Sequence, residues 1–138
     1  NAFGEELIAD NADKAIAMAC EKTGLVVNDY TAAPVYIGDE SKGGHEWLIE
    51  FDSMPDSVDQ FAYELDCALK LVNSDYEAKR YKDIALVMPQ VHALDKTVFH
   101  EWLRSKGKLG GQHKIPRLSN DRIYVDEILA QMQAVKLK

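Results

Sequence analysis

No apolar run in this sequence approaches the roughly 18 residues that a membrane-spanning helix needs. No signal-peptide pattern stands at its start either. Cysteine is scarce: Cys20 and Cys67 are the only two in 138 residues, too few for a disulfide scaffold, and this predicts a reducing, cytoplasmic compartment. The four histidines (His45, His92, His100 and His113) never fall four apart on one helical pattern, and no cysteine or carboxylate completes a familiar metal spacing. No metal site is therefore expected. The phosphate loop Gly-x4-Gly-Lys-Ser/Thr is absent, as is the nucleophile elbow Gly-x-Ser-x-Gly. There is no internal repeat and no low-complexity segment. The first residue is Asn1 and not Met, which predicts a processed chain or a piece of a longer one.

What remains is ordinary globular material. Hydrophobic residues make up 46% and charged residues 28%, which argues against long disorder. A chain this long buries about two-thirds of its unfolded surface in one domain and needs no metal or disulfide staple. Basic residues are outnumbered sixteen to twenty-three, for a net charge of −7. Six of the sixteen (Arg104, Lys106, Lys108, Lys114, Arg117 and Arg122) fall within residues 104–122 beside a single acid, Asp121. That segment carries +5 and the rest of the chain −12, so the protein repels polyanions generally while offering one place to hold a small anion.

Residues 11–22 predict an amphipathic helix with Ala12, Ala15, Ile16, Ala19 and Cys20 on one face, capped by Asp10 or Asn11 and ended by Gly24. Residues 25–38 read as a strand broken by Asn28-Asp29, with Pro34 marking an edge or a bulge. A turn over 39–44 leads to a second strand. There His45, Trp47, Ile49 and Phe51 alternate with Glu46, Leu48, Glu50 and Asp52, predicting one buried face. Ser57 and Gln60 form a capping-box pattern ahead of a helix that buries Val58, Phe61, Ala62, Leu65, Ala68, Leu69 and Val72 and ends near Asn73-Ser74. A strand over 84–91, a short helix from Thr97, a glycine-rich loop over 105–119 and a last helix from Ser119 or Asn120 complete the chain. The fold class expected is α+β: a small, mostly antiparallel sheet packed with about four helices in a single compact domain.

Few residues suggest chemistry by themselves. Glu5 and Glu6 are adjacent and point to opposite faces of an extended segment, a poor acid–base pair. The basic loop lacks interleaved aromatics and the strands lack an RNA-stacking pattern, so nucleic acid is not an expected partner. Pattern alone leaves a small-ligand-sensing domain and a nucleic-acid module as alternatives to an enzyme part.

Three stretches narrow this. Phe3-Gly4-Glu5-Glu6-Leu7, then Ser74-Asp75-Tyr76-Glu77-Ala78-Lys79-Arg80, and above all the run from Lys106-Gly107-Lys108-Leu109-Gly110-Gly111 through Gln112-His113-Lys114-Ile115-Pro116-Arg117 to Asp121-Arg122 together resemble the Gretchen-Hagen, or auxin-responsive promoter, family, most closely its bacterial members. The family comprises acyl-acid amido synthetases of the adenylate-forming superfamily. The resemblance implies that residues 1–138 form a carboxy-terminal lid domain, with a large amino-terminal, nucleotide-binding domain outside this chain as its partner. It implies a two-step reaction in which ATP, with Mg2+ held mainly by that other domain, activates a carboxylic acid as an acyl-adenylate that an amino acid amine then attacks. Lys114, in the Lys-x-Pro-Arg run, matches the lysine that enters the active site for adenylation. Gly110, Gly111, Gln112 and Arg117 are implied as nucleotide or interdomain contacts, and Tyr76 and Arg80 as packing residues. The substrates implied are an acid and an amino acid, neither identified by this domain.

Overall fold

A computed structural model describes residues 6–38, 42–107 and 114–136. The elements are α1 (Ala9–Thr23), β1 (Val27–Tyr36), β2 (Gly43–Phe51), α2 (Asp59–Val72), α3 (Ser74–Arg80), β3 (Gln90–Leu94), α4 (Val98–Ser105) and α5 (Ile123–Lys136), with a single 3-10 turn at Tyr81–Asp83. The sheet order is β1-β2-β3. β1 and β2 form an antiparallel hairpin from Val27↔Phe51 to Tyr36↔Gly43. β3 joins β2 in parallel, from Glu46↔Gln90 to Glu50↔Leu94, so the chain crosses over through α2 and α3 between them. The fold is α+β, with a mostly antiparallel sheet and five α-helices among the described residues.

Two cores lie on opposite faces of the sheet. One packs Ala12, Ala15, Ile16 and Ala19 of α1 and Phe61, Leu65 and Leu69 of α2 onto Trp47, Ile49 and Phe51. The other packs Phe99 and Trp102 of α4 and Val125 and Ile128 of α5 onto Ala33, Leu48 and Leu94. The expectation of one buried face for β2 is therefore corrected. As the central strand between two helical layers it is buried on both, including Leu48 at 0% and Glu46 at 8% exposure.

Other boundaries move for local reasons. α1 starts at Ala9 because the Asn11 side chain accepts from the Ile8 N–H at 3.1 Å, and it ends at Gly24 in the left-handed region at φ 76°. At α2, Ser57 Oγ accepts from the Asp59 N–H at 3.2 Å, whereas Gln60 turns to Glu64, so the expected capping box is only half made. Asn73 breaks the helix in an extended conformation, and its Oδ1 caps α3 through the Tyr76 N–H at 2.7 Å, a fifth helix that its short, polar sequence did not signal. The strand expected over 84–91 begins only at Gln90. Pro89 has no N–H to give, and Leu86 makes just an isolated bridge to Gly43. Pro34 lies on the edge strand as expected, while the bulge falls at the other end of β1, between Val27 and Asp29.

The expected packing role of Tyr76 and Arg80 is met by an acid that the sequence reading passed over. Asp66, 3% exposed on α2, takes Arg80 in a two-pronged contact, Nε and Nη2 each at 2.7 Å, and the Tyr76 hydroxyl at 2.8 Å. This ties α2 to α3 beneath the sheet.

Candidate functional site

The outer edge of β1 is covered by residues that return from more than eighty positions later. The Ala32 N–H donates to the Arg117 carbonyl at 2.9 Å, the Ser119 N–H donates to the Ala32 carbonyl at 3.0 Å, and Ala32 bridges Leu118 in parallel. The buried Thr31 hydroxyl donates to the Pro116 carbonyl at 2.6 Å. Ile115, 3% exposed, inserts into the core beneath α4 and α5. The Lys-Ile-Pro-Arg run is thus a strip fixed to the sheet, with Ile115 committed to the interior and Lys114, Pro116 and Arg117 exposed.

Lys114 is exposed at the start of that strip and has no hydrogen-bonded carboxylate among the described residues. Its ammonium lies in the field of Asp29. Burial pushes the Asp29 carboxyl above its usual range, opposed by the bond it accepts from the Tyr30 N–H at 2.9 Å and by the charge of Lys114. Arg117 reaches across to α1, where its Nη1 pairs with Asp13. The other oxygen of Asp13 accepts the hydroxyl of Tyr30, a residue 6% exposed whose ionisation is pushed far up by burial and then by that bond. Two adjoining clefts share Asp29 and Arg117. One, about 470 Å3, is lined by Lys114, Ile115, Pro116 and Leu118. The other, about 360 Å3, has a floor of Ile16, Ala17, Cys20 and Val27.

Lys114 and Arg117 therefore stand on one cleft with Asp29 of β1, and Arg117 also borders the adjoining cleft with Asp13 of α1. Gly110, Gly111 and Gln112, the other sequence-predicted contacts, lie outside the described residues, as do Lys108 and Phe3 to Glu5. Asp13, Asp29, Tyr30 and Thr31 were missed. Only Asp29 left a trace, as the polar interruption of an otherwise apolar strand. Asp13 looks like any solvated helix acid, because its partner is 104 residues away.

Arg122, on the same basic segment, serves a different place. It donates to the Pro34 carbonyl at 2.8 Å, to Asp126, and to Glu46 Oε1 at 2.6 Å, while the second Glu46 oxygen meets His92 Nε2 at 2.6 Å. Burial alone would raise the Glu46 carboxyl, and the bonds from Arg122 and His92 instead hold it low. Among the described residues no three histidines, cysteines or carboxylates stand together as a metal cage, and no helix is long and apolar enough to cross a membrane.

A family model described as GH3 family C-terminal domain matches residues 10–123. No curated protein matches the chain. Among solved structures, a GH3.15 acyl acid amido synthetase aligns with a TM-score of 0.71 at 18% identity, covering 97% of this chain and 24% of its own. An AtGH3.15 acyl acid amido synthetase in complex with 2,4-DB aligns with a TM-score of 0.66 at 17% identity, over 88% and 23% of the two chains. At such identities the likeness establishes the fold. This chain spans about a quarter of the length of those structures.

Proposed function

The chain belongs to the GH3 family, as its C-terminal domain, and on that premise we propose that it is the mobile lid of an ATP-dependent acyl acid amido synthetase. The reaction proposed joins a carboxylic acid to an amino acid amine through an acyl-adenylate, with release of pyrophosphate and then AMP. The observation that carries this reading is the family match itself, which runs through the Lys114–Arg117 strip.

Lys114 is proposed as the catalytic residue of the adenylation step. Attack of a carboxylate on the α-phosphate brings two anions together, and an ammonium between them offsets the repulsion and orients the attack. A side chain with that task must be free to meet its ligand while its backbone is fixed. Lys114 is exposed, and the next residue, Ile115, is anchored in the core. A lysine suits an arriving and departing group because its charge is compact and its stem flexible. Arg117 is half-exposed and adds a second cation beside the same cleft, supporting its proposed contact with nucleotide or with the amino-terminal domain. Gly110, Gly111 and Gln112 are proposed for the same contact from the family resemblance alone. Two cations suit the phosphates of ATP, and the base, the ribose and Mg2+ would be held mainly by the amino-terminal domain.

The test is Lys114→Ala in the full-length enzyme. Acid-dependent exchange between ATP and pyrophosphate should fall by about 10²–10³, the usual loss when one preorganised charge is removed from a developing anionic centre. Amide formation from preformed acyl-adenylate should fall much less, since the lid is expected to have rotated away by then. Lys108→Ala, with the same charge in the same segment, is the control. Equal losses in both variants, or normal exchange in Lys114→Ala, would sink the assignment.

A further inference from the structure

We propose that Asp13 is a positioning residue for adenylation, fixing through Arg117 the direction in which Lys114 leaves the domain; this rests on the reading of Lys114 given above. Three backbone-directed bonds, from Thr31, Ala32 and Ser119, hold residues 116–119 against the edge of β1. A strip pinned along one line can still rock about that line. Ile115 stops the rocking on the α4–α5 side by inserting into that core. On the α1 side the stop is Asp13, which grips Arg117. Asp13 is itself held by the buried Tyr30 hydroxyl, so the grip is referred to the sheet and not to a loose surface rotamer. Lys114 begins one residue before Ile115, and Pro116 stiffens the short span between the two stops.

The pair is a poor stability device. Its side chains are 52% and 41% exposed, and contacts of that kind contribute little to folding. Position is what it can supply. Displacing a reacting group by about an ångström is enough to cost on the order of 10²-fold in rate, so losing one of the two stops should be visible in turnover long before it is visible in folding.

The experiment uses full-length enzyme and acid-dependent ATP–pyrophosphate exchange. Asp13→Asn keeps the shape of the side chain and the bond from Tyr30 but removes the charge that grips Arg117. Its kcat should fall by about 10- to 100-fold, with KM for ATP and the midpoint of thermal unfolding nearly unchanged. In a Lys114→Ala background the same substitution should cost nothing further. Asp13→Glu, which keeps both the charge that grips Arg117 and an oxygen for the Tyr30 hydroxyl, should retain clearly more of the kcat than Asp13→Asn. Wild-type kcat in Asp13→Asn, or the same fold-loss with and without Lys114, would overturn the proposal while leaving the role of Lys114 standing. Normal exchange in Lys114→Ala alone would overturn both.

Discussion

Asp66 lies at 3% exposure on a helix face that otherwise buries hydrocarbon, and it remains ionised there because Arg80 and Tyr76 satisfy both oxygens. Burial by itself would raise its carboxyl, and the bonds from Arg80 and then Tyr76 hold it below the ordinary range. Removing Arg80 leaves that buried charge with only the Tyr76 hydroxyl and the half-buried Lys70 ammonium, 3.4 Å from Oδ2, to offset its burial. Arg80→Met should therefore cost about 3–5 kcal/mol in urea unfolding. The same shift sets a pH dependence. The folded carboxyl binds its proton less tightly than the unfolded one, whose pKa is about 3.9. The stabilisation is thus complete above that value and is lost as pH falls through the lower, folded one. Unfolding free energy followed against pH should decline on acidification below about pH 4, and Arg80→Met should remove much of that decline. Tyr76 and Arg80 stood out in the sequence as residues that fix packing. Asp66 did not, because a helix acid one position off the apolar stripe is ordinarily at the surface.

β1 and the returning strip meet through Thr31, whose hydroxyl is buried and donates to the Pro116 carbonyl at 2.6 Å. Thr31→Val preserves branching and volume but leaves that carbonyl without its donor. A loss of about 1–2 kcal/mol is expected, together with faster hydrogen exchange at the Ser119 amide, which pairs with the neighbouring Ala32 carbonyl. A Ser119 amide as protected as in the parent would show that the strip stays docked without the Thr31 bond. At this scale periodicity located α1, α2, α4 and α5, because each buries a regular stripe, while β-branched and aromatic residues on either side of a turn located the hairpin. Periodicity failed where its signal is short or two-sided. α3 offers only Tyr76 and Arg80 as buried positions, β2 is covered on both faces, and β3 is displaced past Pro89.

At the scale of the whole molecule, the described residues place three strands between two helical layers, each with its own core. The isolated 138-residue chain should unfold cooperatively without metal or nucleotide. It should release no pyrophosphate above background from ATP and a panel of carboxylic acids, since the proposed nucleotide-gripping domain is missing. Turnover by this chain alone would overturn the lid reading. The motif exposed Lys114 and Arg117 to sequence reasoning because they share one contiguous run, whereas Asp13, Asp29 and Tyr30 join them only when the chain closes over a separation of about a hundred residues. That closure also bears on how the polypeptide behaves in a crowded cell. Until residues 116–119 dock, Ala32 presents an open amide and carbonyl on a sheet margin, the kind of ladder that recruits strands from neighbouring molecules into aggregates. Docking occupies both groups. The solubility of the polypeptide is thereby tied to the limb that bears Lys114, and a lesion that releases this limb would first lower the amount of intact protein and only then its turnover.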